Sequence, residues 1–570
     1  MIRVCLAFPD LREIGANHLG QRVLYKVLKE HPGVEIDRCY ALPSTAAPLT
    51  ESGRSLSEFD VVGFSLQSEL TYTNVLAMVG AGGIPLRSEQ RDAHPLIVGG
   101  GPTATHAEPL APFCDVILIG DGEEAFPRLV RAWRDAKGSR RERLRALASL
   151  RGVYAPSLYE CELVSGFQVA RGPRVERALV HDLDAFPFPD DVAPSDGLFH
   201  RSSIEIARGC TEGCRFCQAG MIYRPVRERS PESVARTAMS MIAKSGVREV
   251  AITSLSTADH SCIGALVRSL APLVAAQGAR LHVSALRAHA VDGELVAEML
   301  ERGVGGLTLA PEAASQRLRD VINRDVTEED LFAAAGRMVR GGTRSIHLHF
   351  MIGLPTETEE DVRAIARLGS RLRSLGAEPE ISVAAHVPKP HTPFQWMAFD
   401  PDDIERRAGW LREEADALGV DVRIWSGRSA WVEAALARGD RRLAQVIEQA
   451  YRLGCRFDVW PNQRRVELWE RAFEVCGLPA SRYLAARSVG EPTPWDYADV
   501  GLVDGFLERE YRRAMLGAPS PPCGKPLPGH ARPVCYDCGV GCDLRAMQVG
   551  RAERLVAARS LLRRRERAAP

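Results

Sequence analysis

Residues 203–220 read SIEIARGCTEGCRFCQAG. An apolar strand, Ile204–Ala207, leads directly into a loop with three cysteines at Cys-x3-Cys-x2-Cys spacing. Three thiolates on one short loop can each bind one iron of a [4Fe–4S] cluster and leave the fourth iron open. The stretch therefore predicts a metal centre held by Cys210, Cys214 and Cys217 at the carboxyl end of a strand.

A zinc site is the alternative for this loop. Tetrahedral zinc normally needs four nitrogen or sulfur ligands, with a second pair further along the chain. The next candidates, His260 and Cys262, are distant, so the spacing favours an iron–sulfur cluster. Its open iron needs an exogenous ligand, which the amino and carboxylate groups of S-adenosylmethionine (SAM) can supply.

The sequence around this loop predicts an incomplete β/α barrel. Strands and helices alternate from residue 203 to about residue 387, and six strands are expected: Ile204–Ala207, Glu249–Thr253, Leu281–Leu286, Gly306–Leu309, Ser345–Met351 and Glu380–Ala385. By analogy with full barrels, chemistry should lie at the carboxyl ends of the strands. We therefore expect a partial (β/α)6 barrel with the cysteine loop at its catalytic end.

The amino-terminal part of the chain predicts a second α/β unit. Short apolar strands alternate with helices, the strands being Ile2–Phe8, Val61–Ser65, Leu96–Val98 and Val116–Ile119. This alternation is typical of a doubly wound, Rossmann-like parallel sheet, which binds ligands outside the carboxyl ends of its strands. Small residues at those ends let a large ligand approach the backbone: Ser65, Gly99, Gly100 and Gly120.

Four regions are expected along the chain. Residues 1–145 form the Rossmann-like domain, and residues 146–195 contain a hairpin and a proline-rich linker. Residues 196–425 form the barrel. Residues 426–570 are mostly helical and charged, with a second group of cysteines and a basic tail that we expect to be a solvated helix. The fold class is therefore α/β with a helical carboxyl-terminal region.

With its three-cysteine motif after a strand, the chain resembles the radical SAM superfamily. The resemblance implies a 5′-deoxyadenosyl radical, and it implies that residues at the barrel strand ends contact SAM: Ser254, Ser284, Arg287, Glu312 and Gly353. Arg287 could pair with the SAM carboxylate, and Glu312 could accept hydrogen bonds from SAM. The alternative for either is an ordinary salt bridge at the barrel rim. The end of the second barrel strand, residues 253–256, lacks the glycine-rich motif that many members of the superfamily carry there.

More narrowly, the chain resembles the cobalamin-dependent branch, and within it an uncharacterised subfamily whose longer members carry an extra carboxyl-terminal domain of unknown function. The resemblance runs from residue 1 to about residue 544 and is carried by NHLG (17–20), GFSLQ (63–67), IGDGEE (119–124), MIGLPTET (351–358) and VPKPHTPFQW (387–396). It implies cobalamin at the small residues of the amino-terminal sheet, and methyl transfer to an unactivated carbon.

One signature of cobalamin proteins is missing. Asp-x-His-x-x-Gly, whose histidine coordinates cobalt, does not occur, and His18 is followed by Gly20 at the wrong spacing. Either cobalamin binds without a protein ligand below the cobalt, or the domain only shapes a substrate channel. Rival functions are radical chemistry without methyl transfer (rearrangement, ring formation or methylthiolation of RNA) and a non-catalytic cobalamin or iron–sulfur sensor.

A second group of cysteines lies near the carboxyl terminus. Cys535, Cys538 and Cys542 follow Cys523 and His530 in a segment rich in glycine and proline. These five side chains suffice for a closed zinc site or for an auxiliary iron–sulfur cluster. The sequence favours metal over free thiols and leaves zinc and iron as alternatives.

The net charge and hydropathy of the chain do not identify its binding partners. The 570 residues include 73 lysines and arginines against 73 aspartates and glutamates, so net charge favours neither nucleic acid nor lipid. The first residues differ from a signal peptide, and no apolar run reaches the roughly 18 residues of a membrane span. We expect a cytoplasmic protein with a small-molecule or RNA substrate and an electron donor such as flavodoxin or ferredoxin.

Overall fold

Two largely parallel β-sheets form the core of the protein. The computed structural model describes residues 1–43, 50–190, 201–287, 293–301, 304–425, 427–527, 530 and 532–566. Within these residues the sheets have six and seven strands. The fold is α/β with a mostly helical carboxyl-terminal region, as the sequence predicts.

The amino-terminal sheet is doubly wound. Its strands are β1 (Ile2–Phe8), β2 (Val34–Tyr40), β3 (Val61–Ser65), β4 (Leu96–Gly100), β5 (Val116–Leu118) and β6 (Val153–Tyr154). They lie in the order β2-β1-β3-β4-β5-β6, and only the β5–β6 pair is antiparallel. The winding therefore reverses between β1 and β3, which creates a crevice outside their carboxyl ends.

Alternate residues of β1 pack on opposite faces of this sheet, as period-two strands require. Val4 and Leu6 pack in one core cluster, and Cys5 and Ala7 pack in another. The helices of this region are α1 (Arg12–Gly15), α2 (Leu19–Lys29), α3 (Tyr72–Ala81), α4 (Gly122–Asp135) and α5 (Arg140–Ala148). The edge strand β2 was missed in the sequence because three of its seven residues are charged and four are only partly buried.

A hairpin follows this sheet, as expected. Its strands β7 (Glu160–Val164) and β8 (Phe167–Arg171) are antiparallel, and the short strand β9 (Val175–Glu176) comes next. The proline-rich linker expected up to residue 195 lies partly outside the described residues.

The second sheet contains the six predicted barrel strands and one more. The strands of this region are β10 (Arg201–Glu205), β11 (Ala207–Arg208), β12 (Arg227–Glu228), β13 (Glu249–Thr253), β14 (Arg280–Arg287), β15 (Gly305–Glu312), β16 (Ser345–Ile352), β17 (Glu378–Ala385) and β18 (Val422–Ile424). The sheet runs β10-β13-β14-β15-β16-β17-β18, with every pair parallel. All its carboxyl ends therefore meet at one end of the barrel. The three-residue β18 is too short to stand out in the sequence.

Helices follow the barrel strands and then make up most of the rest of the chain. The barrel helices are α6 (Gln218–Ile222), α7 (Pro231–Ser245), α8 (Ile263–Ala276), α9 (Gly293–Glu301), α10 (Gln316–Val321), α11 (Glu328–Arg340) and α12 (Glu359–Arg373). The remaining elements are α13 (Pro401–Leu418), α14 (Gly427–Ala437), α15 (Leu443–Leu453), α16 (Val466–Val475), α17 (Ala480–Leu484), β19 (Ala498–Asp499), α18 (Phe506–Met515) and α19 (Leu544–Glu566).

The arginine-rich helix α19 packs on the barrel. Ser269 Oγ donates to the carbonyl of Ala558 over 2.9 Å, and Arg554 forms an ion pair with Glu228 over 2.6 Å. Part of α19 is thus buried, whereas a solvated helix was expected. In the part of the chain that the structure describes, no helix is long and apolar enough to span a membrane.

Candidate functional site

The three cysteines of the barrel lie together on the loop between β11 and α6. Cys214 is buried, and Cys210 and Cys217 are half-buried. Each sulfur accepts a hydrogen bond: Cys210 from the N–H of Glu212 (3.4 Å), Cys217 from the N–H of Gly220 (3.4 Å) and Cys214 from the guanidinium of Arg324 (3.6 Å). Donors aimed at sulfur stabilise thiolates and suit an iron–sulfur cluster. Burial raises the pKa of the metal-free Cys217 thiol to about 11.

Contacts from distant parts of the chain hold this loop in place. Arg215 is fully buried and donates to the carbonyls of Asp320 and Val321, at 3.1 and 3.0 Å. It also forms an ion pair with Glu510 of α18 over 3.2 Å. The barrel and the carboxyl-terminal region therefore both position the cysteine loop.

Glu312 ends β15 close to this loop. Its backbone has a positive φ of 66°, which is uncommon for a residue other than glycine. Burial raises the pKa of Glu312 to about 7, opposed by the positive charge of Arg324, and the carboxylate in turn acts on Cys217. The structure thus brings this predicted SAM-contacting residue to the cysteines.

Gly353 lies in the turn after β16, where its φ is +85° and its N–H donates to Glu357 over 2.7 Å. Ser284 is half-buried within β14, three residues before the strand ends, and not at the strand end as expected. The side chain of Arg287 falls outside the described residues. For these three residues, contact with SAM stays a prediction.

A cavity of about 410 Å³ lies between the two sheets. On the amino-terminal side its wall includes Ser65, Gly100 and Gly120, three of the four small residues predicted to face cobalamin. On the barrel side it includes Thr253 and Ser254 at the end of β13. The cavity therefore joins the crevice of the first sheet to the carboxyl ends of the barrel strands.

The fourth small residue, Gly99, lies outside the lining of this cavity. The structure extends β4 to Gly100, so Gly99 faces the opposite side of the sheet, where an added Cβ would lie 2.9 Å from Leu66 and 3.3 Å from Cys114. At Gly100 the nearest atoms to an added Cβ are 3.8 Å away. Close packing therefore requires glycine at position 99, whereas position 100 has room for a Cβ on the cavity side of the sheet.

His18 lines the same cavity, although its sequence spacing does not match the cobalt-binding signature. Its Nδ1 accepts a hydrogen bond from the N–H of Gln21 over 3.3 Å, so we assign the proton to Nε2. Burial lowers the pKa of His18 to about 4, opposed by a hydrogen bond with Gln67. With its proton on Nε2 and its Nδ1 lone pair taken by Gln21, the neutral ring of His18 offers no free lone pair to a metal in this arrangement.

Ion pairs join the two sheets beside the cavity. Arg208 of β11 pairs with Asp121 (2.8 Å) and Glu123 (2.6 Å) at the start of α4, and with Glu205 (2.9 Å) of its own barrel. Arg227 also pairs with Asp121. Sequence analysis missed this network, because its members lie far apart in the chain and only the fold brings them together.

A second buried network links the 387–396 loop to the amino-terminal sheet. Glu69 accepts from His106 Nε2 over 2.8 Å and from Lys389 Nζ over 2.8 Å. Burial opposes ionisation of Glu69, but the charge of Lys389 and the contacts with His106 bring its pKa well below the ordinary value. Gln218, next to the last cluster cysteine, donates to the carbonyl of Pro390 over 3.0 Å. The network therefore reaches the cysteine loop.

The carboxyl-terminal cysteines also come together. Cys523 interacts electrostatically with Cys535, Cys538 and Cys542. His530, the fifth predicted ligand, is exposed on the surface. Among the described residues, no three His, Cys, Asp or Glu side chains are arranged to hold a single metal ion, and this applies to both groups of cysteines.

Comparison with known families agrees with this geometry. The model for the radical SAM superfamily matches residues 204–369, and the model for the N-terminal region of radical SAM proteins matches residues 20–156. Together they cover more than half of the chain. The chain therefore belongs to the radical SAM superfamily, and it is an enzyme of a class whose cofactors are a [4Fe–4S] cluster and SAM.

Several known proteins are similar to this chain in sequence. An uncharacterised protein of Methanocaldococcus jannaschii is 27% identical over 450 residues, or 78% of this chain and 90% of the relative. An uncharacterised methyltransferase of Pyrococcus horikoshii is 24% identical, covering 62% and 73%. The anaerobic magnesium-protoporphyrin IX monomethyl ester cyclase of Cereibacter sphaeroides is 26% identical, but the match covers 50% of this chain and 44% of the cyclase.

One solved structure has the same fold over most of its length. It is a radical SAM methyltransferase from Kitasatospora setae, with cobalamin and a [4Fe–4S] cluster bound. The match covers 83% of this chain and 99% of that protein, with a TM-score of 0.52 and 14% identity. At this identity the likeness shows the fold alone.

Proposed function

We propose that this protein is a cobalamin-dependent radical SAM methyltransferase that acts on an unactivated carbon. The observation that carries the proposal is the 410 Å³ cavity, whose wall combines the crevice of the doubly wound sheet with the carboxyl ends of barrel strands. A cofactor there would lie between its own binding sheet and the site of radical chemistry.

In this proposal Cys210, Cys214 and Cys217 hold the [4Fe–4S] cluster. When bound, the cluster and SAM supply one-electron cleavage that yields a carbon radical, and cobalamin supplies a methyl group. Arg324 donates to Cys214 and offsets the negative charge of the thiolates. Glu312, whose burial raises its pKa to about 7, can donate or accept a hydrogen bond near neutral pH.

Cobalamin would be held mainly by backbone at small residues. Ser65, Gly100 and Gly120 lie on the cavity wall, and at Gly100 nothing approaches an added Cβ closer than 3.8 Å. Because His18 uses Nδ1 as an acceptor, we propose binding without a protein ligand below the cobalt. Arg208 fixes the cavity wall through its ion pairs with Asp121 at the start of α4 and Glu205 at the end of β10.

The test is anaerobic purification after growth with cobalamin, followed by visible absorbance and analysis of SAM products. We expect bound corrin, and both 5′-deoxyadenosine and S-adenosylhomocysteine after reduction. Gly100→Leu should prevent corrin from binding and leave the iron content unchanged. Gly409 lies on α13 with no atom within 4 Å of an added Cβ, so Gly409→Leu should keep both corrin and iron. Absence of corrin would refute methyl transfer from cobalamin, and 5′-deoxyadenosine alone would favour radical chemistry without it.

Replacing all three cluster cysteines by alanine tests the radical step itself. This variant should cleave no SAM, and persistent cleavage would contradict the assignment of the cluster. If the wild-type enzyme forms neither SAM product, a sensor role replaces catalysis.

A further inference from the structure

A turn near the carboxyl terminus brings Cys523 and Cys535 together. The N–H of Gly524 donates to the carbonyl of Val534 over 2.9 Å, and the N–H of Val534 donates to the carbonyl of Lys525 over 3.1 Å. The two cysteines flank these paired residues and therefore face each other across the turn.

The other two cysteines close the site. Cys538 is buried in the same apolar cluster as Cys523 and Tyr536, and Cys542 is half-buried. The thiols of Cys535, Cys538 and Cys542 and the guanidinium of Arg224 all lie within electrostatic reach of Cys523. A metal centre would take up the charge of four thiolates gathered in one place.

Donors already point at two of these sulfurs. The N–H of Asp537 donates to Cys535 over 3.2 Å, and Arg224 forms a hydrogen bond with Cys538. Hydrogen bonds to sulfur and a nearby cation are the means by which proteins stabilise iron–sulfur clusters.

The same segment packs directly against the loop of the first cysteine group. The N–H of Cys523 donates to the carbonyl of Thr211 over 2.6 Å, and the hydroxyl of Tyr536 donates to the carbonyl of Gly213 over 3.2 Å. Arg224 is fully buried between the two groups, and its Nε donates to the carbonyl of Gly220 over 2.8 Å.

We propose that Cys523, Cys535, Cys538 and Cys542 hold a second iron–sulfur cluster, seated against the loop that holds the first. Zinc would draw four sulfurs to about 2.3 Å around one ion, whereas a cluster spreads its ligands over several irons. The charge of Arg224 beside Cys538 and the direct contact of Cys523 with the first loop favour a cluster. The exposed His530 is not a ligand.

The test is metal and sulfide analysis of the full chain after anaerobic reconstitution with iron and sulfide. If both sites hold four-iron clusters, we expect about eight irons per chain, with half remaining when the three cysteines of the first loop are replaced by alanine. The electron paramagnetic resonance spectrum of the fully reduced protein should be broadened by coupling between neighbouring clusters.

Matched variants distinguish loss of this metal site from a general loss of folding. Cys535→Ser, at the exposed ligand, should lose about half of the iron and the spectral broadening, while His530→Ala and Cys476→Ser should keep both. Stoichiometric zinc with about four irons per chain, or full iron in the Cys535→Ser variant, would overturn the proposal. Iron content and spectral broadening do not depend on corrin. Failure of the second-cluster proposal can therefore be distinguished from failure of the methyl-transfer proposal.

Discussion

Arg208 of the barrel donates to Asp121 of the amino-terminal region over 2.8 Å, at the wall of the cavity between the two sheets. The same guanidinium binds Glu123 and Glu205. One cation thus joins carboxylates at the start of α4 to a carboxylate at the end of β10, so charge as well as apolar packing positions the amino-terminal region against the barrel.

Replacing this cation should destabilise the protein. Arg208→Gln leaves three little-exposed carboxylates with only Arg227 beside Asp121 and Arg229 at 3.8 Å from Glu205. Losing one partner of a buried ion pair costs about 3–5 kcal/mol. We expect a clear drop in melting temperature and weaker cobalamin retention. Arg134→Gln, which breaks an exposed pair with Asp135, is the control and should melt like the wild type. Equal melting of both variants would contradict a structural role for the network.

Gly120 should tolerate no side chain. Its φ is +101°, and an added Cβ would lie 2.1 Å from the carbonyl oxygen of Ala178. A left-handed conformation alone costs a residue with a side chain about 1–2 kcal/mol. Gly166, at φ +84° with open space around it, provides the control. In chemical denaturation Gly120→Ala should lose clearly more stability than Gly166→Ala, and equal losses would show that the contact with Ala178 is unimportant.

The sequence predicted elements well where apolar periodicity was continuous. It placed the six barrel strands and four strands of the first sheet, but it missed β2, β6 and β18. These are an edge strand with polar residues and two strands of only two and three residues. Ending β4 at Val98 made Gly99 and Gly100 equivalent loop residues. Because β4 continues to Gly100, the two glycines face opposite sides, and only one lines the cavity.

Prediction of the site was also limited to what local sequence patterns reveal. Cysteine spacing is local, so it identified both cysteine groups before any fold was known. Partners from distant segments, such as Arg324 at Cys214 or Glu69 at Lys389, depend on how strands and helices pack. No local pattern marks them, and their roles became visible only in three dimensions.

The stability of the protein should fall at acidic pH because of His391. Burial lowers the pKa of His391 to about 3, and its Nε2 donates to the carbonyl of Thr105 over 3.0 Å. The folded state keeps this ring neutral, whereas the unfolded state takes up a proton below pH about 6.5. Stability is therefore lost as pH falls from about 6.5 towards 3, by up to about 1.4 kcal/mol per pH unit.

His391→Asn checks this assignment. Asparagine tolerates the positive φ of 59° at this position, and it does not titrate. The variant should be less stable at pH 7.5, because the bond to Thr105 is lost, but its denaturation midpoint should depend less on pH between 6.5 and 5. A slope equal to that of the wild type would assign the acid sensitivity to other groups.

Arg324 should set the potential of the first cluster. Its guanidinium donates to Cys214 over 3.6 Å, and its other nitrogens donate to the carbonyl of Ala310. A cation and a hydrogen bond at a cluster sulfur favour the reduced, more negative state. Arg324→Gln should therefore lower the midpoint potential, on the order of 50 mV if a charged hydrogen bond of about 1.5 kcal/mol is lost.

The measurement is an anaerobic redox titration followed by electron paramagnetic resonance. SAM cleavage by the variant should also be slower at a fixed reductant potential. Arg317→Gln, which removes a pairing with Asp361 on the rim, should leave the potential unchanged, and an equal shift in both variants would remove Arg324 from the environment of the cluster.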